Sequence, residues 1–242
     1  MPITAYQIPN TSMYVSNHEG AASIRALFGP IGVTVAIAAA RSTGERKTRD
    51  HQAQLRLDVP KITEQVLMEE LHRRGETGRF GPTGEPGGDS FEIIPYLVVN
   101  FVGNDQVRPW VVLRTALRDP DGKEKWKTKY AAGVGEVRPL GGESGWASDG
   151  GAPLRKAFDR NLRLAIDALL RDASGTLPRG TGHMANVKAQ WVWVKEPSEE
   201  TAEVLHETEE TLVVIPQVTD SHFFAGISIL DKKSVAVTPE VK

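Results

Sequence analysis

Two stretches of the chain repeat their apolar residues with a helical period. From Asp58 onward, Ile62, Val66, Leu67 and Leu71 fall on one face, Pro60 stands in the first turn, and Arg73, Arg74 and Gly75 close the segment. The stronger stripe runs from Pro153 to Asp172 through Leu154, Phe158, Leu162, Ala165, Ile166 and Leu169, with Gly175 as its stop. Elsewhere the period is two. Phe91 to Val102 is an apolar run that reads as a buried strand, in which Pro95 calls for an edge or a bulge. Trp110 to Arg118 and Glu124 to Ala131 form a hairpin across Asp119, Pro120, Asp121 and Gly122, whose Pro and Gly preset the dihedrals of the turn. In its second arm Trp126, Thr128 and Tyr130 point one way, while Lys123, Lys125, Lys127 and Lys129 point the other.

Residues 187–195 alternate around Trp191 and Trp193, and short strands are expected over 211–215, 223–230 and 234–237. The run from Glu196 to Glu210 holds seven carboxylates and no Lys or Arg, and reads as a solvated helix or as the complement of a basic face on a neighbouring subunit. Residues 41–49 read as an exposed basic loop, and the glycine-rich tracts 75–90 and 133–151 as connections. Helices and hairpins in this order, without regular strand–helix alternation, predict an α+β fold: a mostly antiparallel sheet packed by two or three amphipathic helices. Residues 1–175 make the main α+β domain, and 176–242 a strand-rich C-terminal section, separate or part of the same domain.

Composition narrows the chemistry. The chain has 242 residues, 40% of them apolar, which suffices for a core without staples, and it contains no cysteine. Thiolate catalysis, dithiol redox chemistry and Cys-ligated metal centres are thereby excluded. With 29 Lys and Arg against 31 Asp and Glu, the formal net charge is -2, too balanced for the broad positive field of non-specific nucleic-acid binding. The N-terminal MPITAYQIPN has no basic segment leading into an apolar one, so it does not read as an uncleaved signal peptide. The apolar stretch from Gly20 to Ala40 is interrupted by Arg25 and Gly29-Pro30, and its uncharged part spans about 22 Å as helix, short of a bilayer core of about 30 Å. It reads as a buried helix or helix-turn, or as an element leaning on a membrane or a partner.

None of the glycine tracts matches a dinucleotide or phosphate-loop fingerprint. Ser144, Ser148, Asp149 and His183 lie in loops, yet GESGW is not a nucleophile elbow. Glu69-x-x-His72 and Glu203-x-x-His206 each set a carboxylate and an imidazole one helical turn apart, but the partners a di-iron bundle needs are missing, so both read as surface pairs. No catalytic residue, metal site or cofactor is assigned. The most concrete feature is the basic hairpin face, Arg114 and Arg118 with Lys123, Lys125, Lys127 and Lys129, a patch suited to an acidic partner or lipid head groups; with no aromatic interleaved, nucleic acid is not expected as a partner. A second candidate ligand site, under the glycine-rich loops, groups Trp146, Asp149 and His183.

As a set, Ile94 to Asn100 (IPYLVVN), Val111-Val112-Leu113, Asp119 to Gly122, Trp126, Tyr130 and Gly150 to Arg155 (GGAPLR) resemble the soluble part of uncharacterised bacterial envelope lipoproteins, over residues 91–172. That resemblance implies a periplasm-facing, membrane-held domain without an assigned activity; the sequence departs from it in having no lipobox and no cysteine to acylate. The expectation is a non-enzymatic bacterial envelope domain acting through protein or membrane-surface contacts, periplasmic or membrane-associated, with a cytoplasmic setting as the other option. Its rivals are a small-ligand receptor or hydrolase with a pocket under the glycine-rich loops, and an oligomeric structural component joined through Gly20 to Ala40.

Overall fold

The computed structural model describes residues 5–7, 14–16, 48–51, 57–77, 88–194, 196–217 and 226–239. The stretch 20–40 and most of the 75–90 loop lie outside the described residues. One mixed sheet and two helices make up the fold, an α+β arrangement. The strands are β1 (Ala5–Gln7), β2 (Tyr14–Ser16), β3 (Ser90–Phe101), β4 (Gln106–Arg118), β5 (Glu124–Gly133), β6 (Arg138–Pro139), β7 (Met184–Ala189), β8 (Ser198–Glu207), β9 (Thr211–Pro216), β10 (Ile227–Asp231) and β11 (Ala236–Pro239). Nine of them run in the order β1-β3-β4-β5-β10-β9-β8-β7-β11, while β2 pairs with β3 and β6 with β4. Two antiparallel blocks, β3-β4-β5 and β10-β9-β8-β7-β11, are joined by the parallel pair β5–β10, and β1 and β2 also run parallel to β3, so the sheet is mixed.

The helices are α1 (Val59–Arg74) and α2 (Ala152–Ala173), two long helices among the described residues where two or three were expected. Local chemistry sets their ends. Asp58 accepts a hydrogen bond from the Lys61 amide, Pro60 fills the first turn, and Gly75 closes α1 in the left-handed conformation at φ 69°. The apolar stripe of α2 is buried throughout, and with α1 it covers one face of the sheet over Leu97, Val111, Leu113, Tyr130 and Ile229. Asn161, buried on α2, accepts from the Val134 amide at 2.8 Å and donates to the Val134 carbonyl at 3.1 Å, so the helix ties off the end of β5 as a neighbouring strand would. Arg74 of α1 pairs with Asp167 of α2, and Arg163 of α2 with Glu69 of α1.

The opposite face has its own core. Val98, Trp110 and Val112 of β3–β4 cluster with Ala185, Val187, Trp191, Ala202 and Val204, which belong to β7, β8 and the turn between them. Those strands stand far apart in the sheet order, yet Asn100 of β3 donates to the Val194 carbonyl and Arg108 of β4 to the Ser234 hydroxyl, so the sheet curls to bring β3–β4 to the turn after β7 and to the segment before β11. Trp110 lies flat on Gly133, where an added Cβ would sit 2.3 Å from the indole. Pro95 lies inside β3, opposite Leu113 of β4 and without a strand partner on the outer side among the described residues, so β3 is locally an edge there. On its other side β1 pairs with residues 90–92 and β2 with 98–100, so the residue that lacks an N–H falls between the two short strands.

Two expected elements differ. The acid-rich run is the strand β8, not a helix, because Ala202 and Val204 are drawn into the second core and the strand pairs on both sides. Glu203 and His206 are therefore not a helical-turn pair. The strand expected over 187–195 ends at Ala189, and residues 190–194 turn back across the sheet.

Candidate functional site

The hairpin brings its cations to the face opposite the helices. A turn with Gly122 at φ 80° closes it, the Asp119 carboxylate accepting from the Asp121 and Lys123 amides. Tyr130 goes into the helix-covered core, where its hydroxyl donates to Asp172 at 2.6 Å; burial and that carboxylate push its phenol well above the ordinary range. The alternation then sends Lys127 and Lys129 to the other side. There an open groove of about 520 Å³ runs over β3, β4 and β5. Its cations are Arg114, Arg118, Lys127 and Lys129, its carboxylates Glu92 and Glu124, and its apolar and aromatic surfaces include Ile94, Tyr96, Val112 and Trp193.

The four cations are not equivalent. Arg118 is held by Glu92 at 3.0 Å and Lys127 by Glu124 at 2.9 Å, which leaves those two pairs close to neutral. Arg114 and Lys129 stand directly opposite each other in the β4–β5 register. Arg114 is exposed and has no carboxylate within ion-pair distance among the described residues. Lys129 is half-buried, and burial together with the Arg114 charge lowers its pKa from the ordinary lysine value. Like charges facing each other across a strand pair are destabilising. Of the two, Arg114 is the more exposed to solvent.

Of the six candidate hairpin cations, the groove thus gathers four. Lys123 lies in the exposed turn, and Lys125 is ion-paired to the buried Asp89 at 2.7 Å. Sequence reasoning did not find Glu92, Ile94 and Tyr96, although they share one side of β3 by strand parity. Nor did it find Trp193, which no local pattern places there. The two aromatics reach the lysine side from β3 and from the turn after β7, so the basic face does carry aromatic surface.

Trp193 sits in the left-handed region, at φ 70°. For a bulky residue such a backbone costs about 1–3 kcal/mol and persists only where the surroundings over-determine it. They do so here. The buried Asn100 of β3 donates to the Val194 carbonyl at 2.9 Å, Gln190 donates to the same oxygen at 3.3 Å, and the fully buried Trp191 gives its indole N–H to Ser198 at 3.1 Å.

The second candidate site is distributed differently. Trp146 is buried, donates its indole N–H to the Val107 carbonyl at 2.8 Å and carries the Arg138 guanidinium 5.3 Å from its ring centre. Asp149 is exposed in the turn leading into α2, and His183 is exposed at the start of β7, its carbonyl accepting from the Val204 amide. None of the three lines the groove or the second large cavity, of about 530 Å³, between α2 and the β8–β9 turn. Glu69 is taken up by Arg163 and Gln65, whose hydrogen bonds hold its carboxyl below the usual range. Among the described residues no group of three or more His, Asp or Glu is placed to hold a metal ion, and no helix is long and apolar enough to cross a membrane. Comparisons of the chain with protein-family models, curated proteins and solved structures find no match.

Proposed function

We propose that this protein is a non-enzymatic recognition domain that takes an acidic segment of a partner protein into the groove over β3–β5. The observation that carries the reading is the Arg114–Lys129 cross-strand pair, two cations side by side on the groove with Arg114 lacking any carboxylate among the described residues. A carboxylate of the segment meets the exposed Arg114 guanidinium in a charge-assisted hydrogen bond. A concave site favours a chain over a flat lipid surface, since Glu92 and Glu124 also line it and repel a plane of anionic head groups. Binding is favoured over turnover because no histidine lines the groove among the described residues, and the Thr115 hydroxyl is spent on the Thr128 carbonyl. The setting proposed with this function is the bacterial envelope, which rests on the resemblance of residues 91–172 alone.

The test is a calorimetric titration of the chain with a soluble peptide in which Glu alternates with Phe. Wild-type protein binds it, more weakly as salt shortens the Debye length below about 10 Å, and the Arg114→Glu/Lys129→Glu variant binds about tenfold or more weakly. Equal affinity of the two proteins for the peptide would overturn the proposal. So would binding only to anionic phospholipid vesicles, which would make the face a membrane contact.

A further inference from the structure

We propose that the cavity of about 530 Å³ at the margin of the helix-covered face, between α2 and the β8–β9 turn, is a second binding site, which takes a small amphipathic carboxylate. Its head meets Arg171 and His206, and its apolar body lies on Leu164, Leu177 and Val213. The volume is that of a small-molecule pocket. What sets the cavity apart from a packing defect is the way His206 reaches it. Val204 of β8 pairs with Val214 of β9, but His206 pairs with Val213, so Leu205 is an extra residue at that step. In regular alternation His206 would share the side of Val204, which belongs to the second core. The shift turns it instead to the side of Val213, which belongs to the core under the helices, and there it lines the cavity. Bulges of this kind recur beside binding and catalytic sites, where they re-aim a side chain.

Both basic groups have donors to spare. The Arg171 guanidinium makes no hydrogen bond among the described residues, and the one carboxylate within ion-pair distance of it there, Asp167, stands at 3.9 Å and is already paired to Arg74. The His206 ring has no hydrogen-bond or ion-pair partner among the described residues. The other polar groups of the cavity are spent or face water. Glu210 is held by Arg160 at 3.1 Å, the Thr208 and Thr211 hydroxyls bond each other at 2.9 Å, and Glu209 is exposed in the turn. What remains is donor capacity, one part of it cationic, and a carboxylate satisfies it with charge-assisted hydrogen bonds. The apolar side is ready for a ligand without rearrangement: Leu177 and Val213 are anchored in the helix-covered core, and the half-buried Leu164 packs against it.

The experiment is an NMR titration of the full chain with hexanoate, hexanamide and acetate, following the His206 ring and the methyl groups of Leu164, Leu177 and Val213. Hexanoate is expected to shift these signals and to bind about tenfold more tightly than hexanamide, which lacks the charge, and than acetate, which lacks the apolar body. Arg171→Met and His206→Leu, each checked for an intact cooperative melt, lose most of the preference for the acid over the amide. Glu209→Gln keeps or strengthens it, because a rim carboxylate repels the head, and Arg114→Thr leaves it unchanged, because the groove over β3–β5 is a separate site. Equal binding of hexanoate and hexanamide by the wild-type chain overturns the proposal, and so does a preference that survives in Arg171→Met. Equal binding of hexanoate and acetate removes the apolar half of the site and overturns it as well. Shifts centred on Arg114 instead of His206 would assign the carboxylate to the groove and leave the cavity empty. The wild-type shift map decides the location by itself if a variant fails to fold.

Discussion

The two faces of the sheet solve the same problem differently. Under α1 and α2 lies a large apolar cluster that includes Leu97, Val111, Leu113, Tyr130 and Ile229, and the buried Asn161 has its hydrogen bonds made by Val134 and Ala157. The other face is closed only where the sheet curls, around Trp110 and Trp191, and opens over the hairpin into a groove with charge on its floor. One face is organised for stability. The other is half core and half site, and its features that oppose stability, the Arg114–Lys129 pair and the left-handed Trp193, both fall in the open half. In the function proposed above, that concavity is the half that binds.

Three substitutions break or sharpen this contrast. The largest effect is expected on the closed face: Phe158→Ala should cost about 3–5 kcal/mol in urea denaturation and leave the peptide affinity of the remaining folded protein unchanged. Next is Gly133→Ala, which drives a methyl group into the Trp110 ring; overpacking of this kind costs about 1–3 kcal/mol, and a silent outcome would mean that the curl is looser than described. The smallest stability change belongs to the open half. Arg114→Thr should raise stability by no more than about 1 kcal/mol, reduced by solvent screening at this exposed position, while weakening peptide binding.

The same pair makes a pH prediction. Because the folded-state pKa of Lys129 is lowered, the unfolded chain holds that proton more tightly, and stability contributed by this site rises as pH increases through the interval just below the ordinary lysine pKa. Peptide affinity moves the opposite way, falling as Lys129 loses its charge. Arg114→Thr, which removes one of the two causes of the shift, should move both transitions to higher pH; unmoved transitions would show that the pair does not interact.

Local chemistry made α1, α2 and the β4–β5 hairpin readable in the chain, since Asp58, Pro60 and Gly75, the stripe from Leu154 to Leu169 and the Asp119–Gly122 turn act within a few residues of where they stand. The period-two lysines were readable for the same reason. The acid-rich strand β8 was not: glutamate-rich sequence favours a helix locally, and the shift in pairing between Val204 and His206 breaks the alternation that would have betrayed a strand.

By itself, then, the order of residues pointed to an α+β protein with helices near 58–75 and 153–172, left open a third, and set a hairpin whose lysines alternate onto one side. Only the tertiary structure decided that Arg118 would be neutralised by Glu92, that Arg114 and Lys129 would face each other in a concavity, and that Trp193 would arrive beside them from the turn after β7. The reason is physical: helix caps and tight turns are short-range interactions between neighbours, whereas the curl of a sheet is set by which distant apolar faces bury one another, and the groove is what that burial leaves uncovered.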